Sequence, residues 1–385
     1  MVLRGGRRFR GPAVLSAGLA GRWQLPPGAV VTPAVVVDST TLDSNLRAMA
    51  DSAAHRGLAL RPHGKTHKSA EIARRQLALG AAGLTVATVG EAETFAAAGV
   101  TDIFIAYPVW ADDGRSGRLR DLAGRIQLSV GVDSAAGVRR LAGALAGAPA
   151  QVLVEVDCGL RRSGVTPAGA AAVAAAADDA GLRLAGVFTF PGHSYAPGAP
   201  VPAAEDEAAA LAAAAAGLAE AGLPCPVRSG GSTPSAALSL GPADDGPVTE
   251  LRPGVYAFND AQQVVLGGCA VDQVALAILA TVVSVPAADR FILDSGAKVL
   301  GQDRPSWAPG HGLLPDFPDS VITGLWEHHA VVRHRAGQPL PQVGDQVVVL
   351  PNHVCTVVNL VDSLYIAEDA QIVDVWPVTA RGRNT

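Results

Sequence analysis

Short apolar runs alternate along the chain with helical stretches that end in glycine. Eight of these runs read as strands: Leu58–Arg61, Leu84–Thr88, Ile103–Tyr107, Ile126–Val132, Val152–Asp157, Leu184–Phe190, Pro226–Ser229 and Thr249–Tyr256. Helical segments lie between them, among them Lys68–Leu79, closed by Gly80, then Ala170–Ala180 and Glu205–Ala221. The last two are so rich in alanine that they resemble low complexity. Each nevertheless sits between a strand and a glycine, and alanine is the strongest helix former, so they are expected as packed outer helices. Several strands are apolar throughout, which suits parallel strands covered on both faces. Eight strand–helix units favour closure, so the expected class is α/β, a (β/α)8 TIM-type barrel over residues 32–261.

Before the first unit, Thr32–Asp38 reads as a strand and Leu42–Arg56 as a helix capped by the residues ahead of it. After Asp260 the texture changes. Val274–Val285, Arg290–Asp294, Ala330–His334, Gln346–Pro351, Ser363–Ile366 and Gln371–Pro377 look like strands, with a turn at Pro341–Asp345 and few helical periods. A mostly β C-terminal domain is expected over 262–385, and the strand at 34–38 is free to join it. Residues 1–31 remain as an N-terminal leader or arm.

Composition narrows the class. Of the 385 residues 49% are hydrophobic and 17% charged, the balance of a folded globular chain. A net charge of -5 argues against nucleic acid as a partner. No apolar run has the length of a membrane span. Cys158, Cys225, Cys269 and Cys355 form no CxxC pair, as in a reduced, cytoplasmic protein. The four arginines of Met1–Arg10 faintly imitate an export signal, but the apolar stretch that follows is short and broken by Gly18. The expected location is therefore the cytoplasm.

The polar clusters all fall at one end of the expected barrel, after the strands, where such barrels carry function. Strand one leads into Arg61-Pro-His-Gly-Lys-Thr-His67, around Lys65. An extended chain there would set Arg61, His63, Lys65 and His67 on one face. A lysine among cations on an inward face loses its proton readily and becomes a Schiff-base nucleophile; the other reading is a solvated basic loop. Strand five ends in the Asp157–Gly164 turn with Arg162, a donor for a ring or carboxylate or one half of a surface ion pair. Strand six ends in Gly192-His-Ser-Tyr195, where His193 is an acid/base candidate or a satisfied structural histidine. Strand seven runs into Gly230-Gly-Ser-Thr-Pro-Ser235, a turn that suits a phosphate and equally an ordinary helix cap. In the β domain, His353 and Cys355 lie two apart, so that on a strand they project to one side. An imidazole and a thiolate suit zinc, while a buried cysteine beside a capped histidine is the plain alternative.

Taken in order, RPHGKTHKS, GLRRSG, GHSY, GGSTPS, LRPGVYAFND and PNHVC resemble the D-threonine aldolase/D-serine dehydratase family, fold-type III pyridoxal phosphate enzymes related to alanine racemase. The resemblance implies a barrel followed by a β domain, a homodimer, and a small-molecule D-amino acid substrate. It implies that Lys65 binds pyridoxal 5'-phosphate covalently and that Arg162 faces its ring. Gly231, Ser232 and Thr233 would form the phosphate loop, with Tyr195 and Tyr256 as cofactor contacts. His353 and Cys355 would hold a divalent metal, zinc first and manganese or magnesium as alternatives, and His193 would act as the base at a β-hydroxyl. Aldolases of the family typically carry a carboxylate at the second metal position, so Cys355 points to dehydration of a 3-hydroxy-D-amino acid to a 2-oxo acid and ammonia. Retro-aldol cleavage comes second, with a racemase or a non-catalytic cofactor carrier behind it.

Overall fold

The computed structural model describes residue 23, residues 25–26 and residues 28–385; the arginine-rich stretch Met1–Arg10, with most of the expected arm at 1–31, lies outside the described residues. The first described strand is β1 (Ala34–Asp38), and its last residue starts α1 (Ser39–His55): the Asp38 carboxylate accepts the Thr41 N–H at 2.7 Å. Eight parallel strands follow with their helices. They are β2 (Ala59–Leu60), α2 (Ala70–Ala78), β3 (Leu84–Val86), α3 (Val89–Ala97), β4 (Asp102–Pro108), α4 (Asp113–Arg125), β5 (Gln127–Val132) and α5 (Ala135–Leu145). Then come β6 (Ala150–Glu155), α6 (Ala170–Asp179), β7 (Arg183–Phe188), α7 (Pro200–Glu220), β8 (Val227–Gly230) and β9 (Glu250–Leu251).

Strands β3 to β9 run side by side in sequence order, and β2 pairs with β9. The ring meets again where the chain beyond β2 touches β3. There His63 bridges Thr85, the Thr85 N–H donates to Pro62 at 2.8 Å, and the Gly64 N–H donates to Thr85 at 2.8 Å. All eight expected strands are present. The alanine-rich α6 and α7 bury one face each against the sheet, through Val173, Ala174 and Ala177 and through Leu211, Ala214 and Leu218.

The expected eighth strand, Thr249–Tyr256, is reduced to two residues, because Pro253 has no N–H to donate to a ladder and Gly254 lies against the turn at His63 and Thr66. Inside the ring, Phe104 and Phe188 meet edge to face at 5.0 Å, and the Arg252 guanidinium lies over both. Arg61 points toward the N-terminal rim, paired with Asp102 at 2.6 Å and Glu250 at 2.7 Å.

Beyond α8 (Ala261–Val265) the chain is mostly β: β10 (Leu276–Ala287), β11 (Arg290–Leu293), α9 (Ala297–Leu300), β12 (Val321–Leu325), β13 (Ala330–Arg333), β14 (Gln346–Val349), α10 (Val354–Leu360), β15 (Ser363–Glu368) and β16 (Gln371–Pro377). Sequence patterning missed β12, whose Gly324 interrupts the apolar run. The long β10 organises this sheet. Its first half lies between β1 and β14, and after a register shift near Val282 its second half pairs with β11. β1 also runs parallel to β15, so the first strand of the chain is built into the C-terminal sheet. No helix of the described residues is long and apolar enough to cross a membrane.

Candidate active site

Lys65 follows the segment that closes the ring, and the chain there is a turn, not an extended strand. The cations expected on one face therefore part company. Arg61 turns to its ion pairs, and His67 is enclosed, with Nε2 at 3.2 Å from Gln76 Oε1 and Nδ1 accepting the Ser69 N–H at 3.1 Å. Lys65 opens on a cavity of about 330 Å³ together with His63, Thr66, Phe190, Tyr195, Ser232, Thr233, Arg252, Gln262, Asp303, His353 and Cys355. Its Nζ lies 5.4 Å from the centre of the Phe190 ring. Burial lowers the Lys65 amine below the ordinary lysine value; Cys355 opposes this, and Arg162 and Arg252 add to it. A primary amine in that state is the nucleophile a carbonyl cofactor needs.

His63 is buried, and burial followed by the Lys65 charge holds its imidazole well below the usual value. Its Nδ1 accepts the Lys65 N–H at 3.4 Å, so the ring is neutral and carries its proton on Nε2.

On one side of the cavity stands a cluster of hydroxyls. Ser232 Oγ lies 2.7 Å from Ser194 Oγ and 2.8 Å from Ser235 Oγ, and Thr233 Oγ1 accepts the Tyr256 N–H at 3.1 Å. Gly231 takes the left-handed conformation there (φ 84°), and its N–H donates to the buried Glu207 carboxylate. Neutral donors gathered on a glycine turn fit a phosphate, and with the depressed lysine amine they fit a pyridoxal phosphate.

On the other side the β domain contributes His353 and Cys355. They lie at the start of α10 and not on a strand, His353 being the N-cap residue. The two-residue period assumed for them does not apply, yet both line the cavity. His353 Nδ1 is 3.3 Å from Asp260 Oδ2, and Cys355 Sγ donates to Thr66 Oγ1 at 3.2 Å. Burial works against charge on both. Even so, Cys355 and Asp260 push the imidazole well above its usual value, and His353 and Lys65 pull the thiol below its own. A thiolate beside an imidazole is a soft N/S donor pair of the kind zinc takes. Among the described residues no group of three or more His, Cys, Asp or Glu side chains is placed to hold a metal, so this pair would leave the other positions open.

Residues 37–262 match the profile of the alanine racemase N-terminal domain family, more than half of the chain. The chain belongs to that family. Residues 275–367 match a serine dehydratase domain profile. The chain is 37% identical over 366 residues to a D-threonine aldolase of an Arthrobacter species, covering 93% of this chain and 94% of that one. It is 38% identical over 349 residues to the D-threo-3-hydroxyaspartate dehydratase of a Delftia species, covering 84% and 90%. The solved structure of that dehydratase superposes with a TM-score of 0.82 at 35% identity, covering 90% and 97%. This member of the alanine racemase-like family is thus an enzyme, a pyridoxal-phosphate-type lyase for 3-hydroxy-D-amino acids.

The family fold does not bring every expected residue into the cavity. Tyr195, Ser232, Thr233, His353, Cys355 and Lys65 are there. Gly231 precedes Ser232 on the same turn and does not line the cavity. Tyr256 turns its hydroxyl to Gln76 Nε2 at 3.0 Å and touches the site through its backbone. Arg162 stacks over Phe190 at 5.2 Å, does not line the cavity and is half exposed, 3.8 Å from Glu155. His193 points its Nε2 at Asp206, 3.2 Å away, and does not line the cavity. Of the tryptophans, Trp110 and Trp326 are exposed.

Sequence reading assigns His63 only the part of a cation beside Lys65, and assigns none to Thr66, Arg252, Gln262 and Asp303. The first three lie inside the motifs RPHGKTHKS and LRPGVYAFND, so their neighbourhood was legible. Gln262 falls just past the second of these clusters, and Asp303 comes from a loop of the β domain with no motif of its own.

Proposed function

We propose that the enzyme dehydrates a 3-hydroxy-D-amino acid to a 2-oxo acid and ammonia, with pyridoxal phosphate held at Lys65 and a divalent ion, zinc first, at His353 and Cys355. The observation that carries this reading is the imidazole–thiol pair of one domain facing the lysine of the other across a single cavity. Solved structures of D-threo-3-hydroxyaspartate dehydratase support it: they include a histidine-to-alanine variant and, two positions further on, a cysteine-to-alanine variant in the metal-free form. The homodimer and the cytoplasmic location expected from the sequence belong to the same proposal, resting on the family resemblance and on the cysteine usage.

The bound cofactor supplies an electron sink for the substrate's α-carbon, and the metal supplies Lewis acidity at the β-oxygen. The protein does the rest. Ser232, Thr233 and the Gly231 turn would hold the phosphate end. Lys65 would be the base that receives the α-proton on Nζ, its amine held below the ordinary lysine value by burial. Neutral His63 and Phe190 line the same cavity, with the Phe190 ring 5.4 Å from that amine. Departure of the β-hydroxyl and hydrolysis of the enamine formed by loss of water complete the reaction.

Retro-aldol cleavage to glycine and an aldehyde is the second reading. It needs a base at the β-hydroxyl, and His193, assigned that part from the sequence, hydrogen-bonds Asp206 instead; this favours dehydration.

Metal-loaded, cofactor-loaded protein incubated with D-serine, D-threonine and D-3-hydroxyaspartate is expected to yield oxo acid without glycine. Glycine would reverse the order of the two readings. Turnover confined to L-isomers would sink the stereochemical assignment. Lys65→Ala should abolish product with every substrate.

A further inference from the structure

We propose that Asp260 is the positioning residue that makes Nε2 of His353, and not Nδ1, the nitrogen offered to the metal. This rests on the reading that His353 and Cys355 hold a divalent ion. Asp260 ends the barrel segment, and its side chain is 0% exposed. Oδ1 accepts the Gln263 N–H at 3.0 Å and caps α8. Oδ2 accepts the Val354 N–H at 3.3 Å and lies 3.3 Å from His353 Nδ1. The next residue fastens the same two segments, since the Ala261 N–H donates to Pro351 O at 3.0 Å. Four contacts thus join Asp260 and Ala261 to neighbouring backbone and to the ring that carries the metal ligand.

Both oxygens of Asp260 already receive backbone donors, so the carboxylate meets His353 as an acceptor. The ring nitrogen facing it must then carry the hydrogen, and the lone pair of the neutral ring is left on Nε2. A carboxylate behind a ligand histidine fixes the tautomer and the ring plane and makes the ligand nitrogen more basic. The clasp therefore links the last turn of the barrel, which carries Tyr256, to the β-domain helix that carries the metal pair.

The test is zinc affinity of the full-length, cofactor-loaded protein, read by competition with a chromophoric chelator. Asp260→Asn keeps an oxygen for the Gln263 N–H, and asparagine caps helices as well as aspartate, but it presents an amide N–H₂ or a weaker acceptor to His353. Its zinc dissociation constant is expected to rise about tenfold to a hundredfold, with pyridoxal phosphate affinity unchanged and the melting temperature lowered only by the lost Val354 bond. A variant that binds zinc within about twofold of wild type overturns the role of Asp260, and so does one in which zinc affinity, cofactor affinity and melting temperature all fall together. Wild type that takes up no zinc overturns the metal reading itself, and this inference with it. Should the variant fail to fold, a crystal structure of zinc-loaded wild type decides. Zinc at about 2.0–2.1 Å from His353 Nε2 supports the assignment, and zinc on Nδ1 with Asp260 displaced overturns it.

Discussion

His67 is one residue whose sequence setting misleads. In RPHGKTHK it reads as a member of a basic stripe, yet it is fully enclosed, edge to face with Phe95 at 5.9 Å, and burial holds its pKa at about 4. The unfolded chain protonates the same ring near 6.5, so between these two values the unfolded state binds more protons than the folded state. Stability is therefore fully present above about pH 6.5 and is lost as pH falls toward 4, on the order of 3 kcal/mol for this ring. His63 acts in the same direction. Urea unfolding at pH 7 and at pH 4.5 should show the loss, and His67→Gln should reduce it. A variant that loses as much stability with acid as wild type would refute the assignment. Lys65 illustrates the same point: Arg61 and His67 of the motif point away from it, because the chain turns at Gly64, where a Cβ would press on Leu84 and Phe95 at 3.0 Å.

The lesson at the level of elements comes from two helix-to-turn contacts. The buried Glu207 on α7 accepts the Gly231 N–H and the Ser239 hydroxyl at 3.0 Å, and so shapes the glycine turn from below. Burial raises its pKa, and the two donors oppose this. Glu207→Gln removes one acceptor from that arrangement while keeping its size. Its dissociation constant for pyridoxal phosphate should rise about tenfold, the scale of one lost charge-assisted hydrogen bond, while that for pyridoxal, which lacks the phosphate, stays within about twofold. Equal losses for both ligands, read by fluorescence titration, would count against a role at the phosphate end. The second contact is α10. Pro351-Asn-His-Val-Cys reads as the end of a strand, and β14 does stop just before it, but Asp260 receives the Val354 N–H and the chain coils into a helix. That partner lies 94 residues away in sequence, beyond the reach of any local pattern.

On the scale of the whole molecule, the two halves are not separable at the change of texture near Asp260. β1 is held by β10 and β15, and the Asn45 amide on α1 donates to Gln273 O at 2.8 Å. The buried Lys68, three residues after Lys65, donates to Asn359 of α10 at 2.9 Å and to Asn384 at 3.0 Å. A fragment of residues 34–261 would keep every barrel strand but leave β1 without its neighbours and the wall of the cavity without its metal pair. It is expected to lack cooperative unfolding and near-UV circular dichroism; a folded, monomeric fragment would show that the barrel stands alone.

Local pattern alone determined the strands and helices of the barrel, the change to β structure after Asp260, and the gathering of polar clusters after the strands. It could do so because burial on both faces and helical period are written in neighbouring residues. The motifs then carried the family. Only the tertiary structure decided that β1 belongs to the far sheet, that His63 and Arg252 enter the cavity while His193 turns to Asp206, and that Asp260 stands behind His353. These depend on partners from 13 to several hundred residues apart, and such contacts are selected by packing and by the satisfaction of buried polar groups, neither of which has a signature within a short window of sequence.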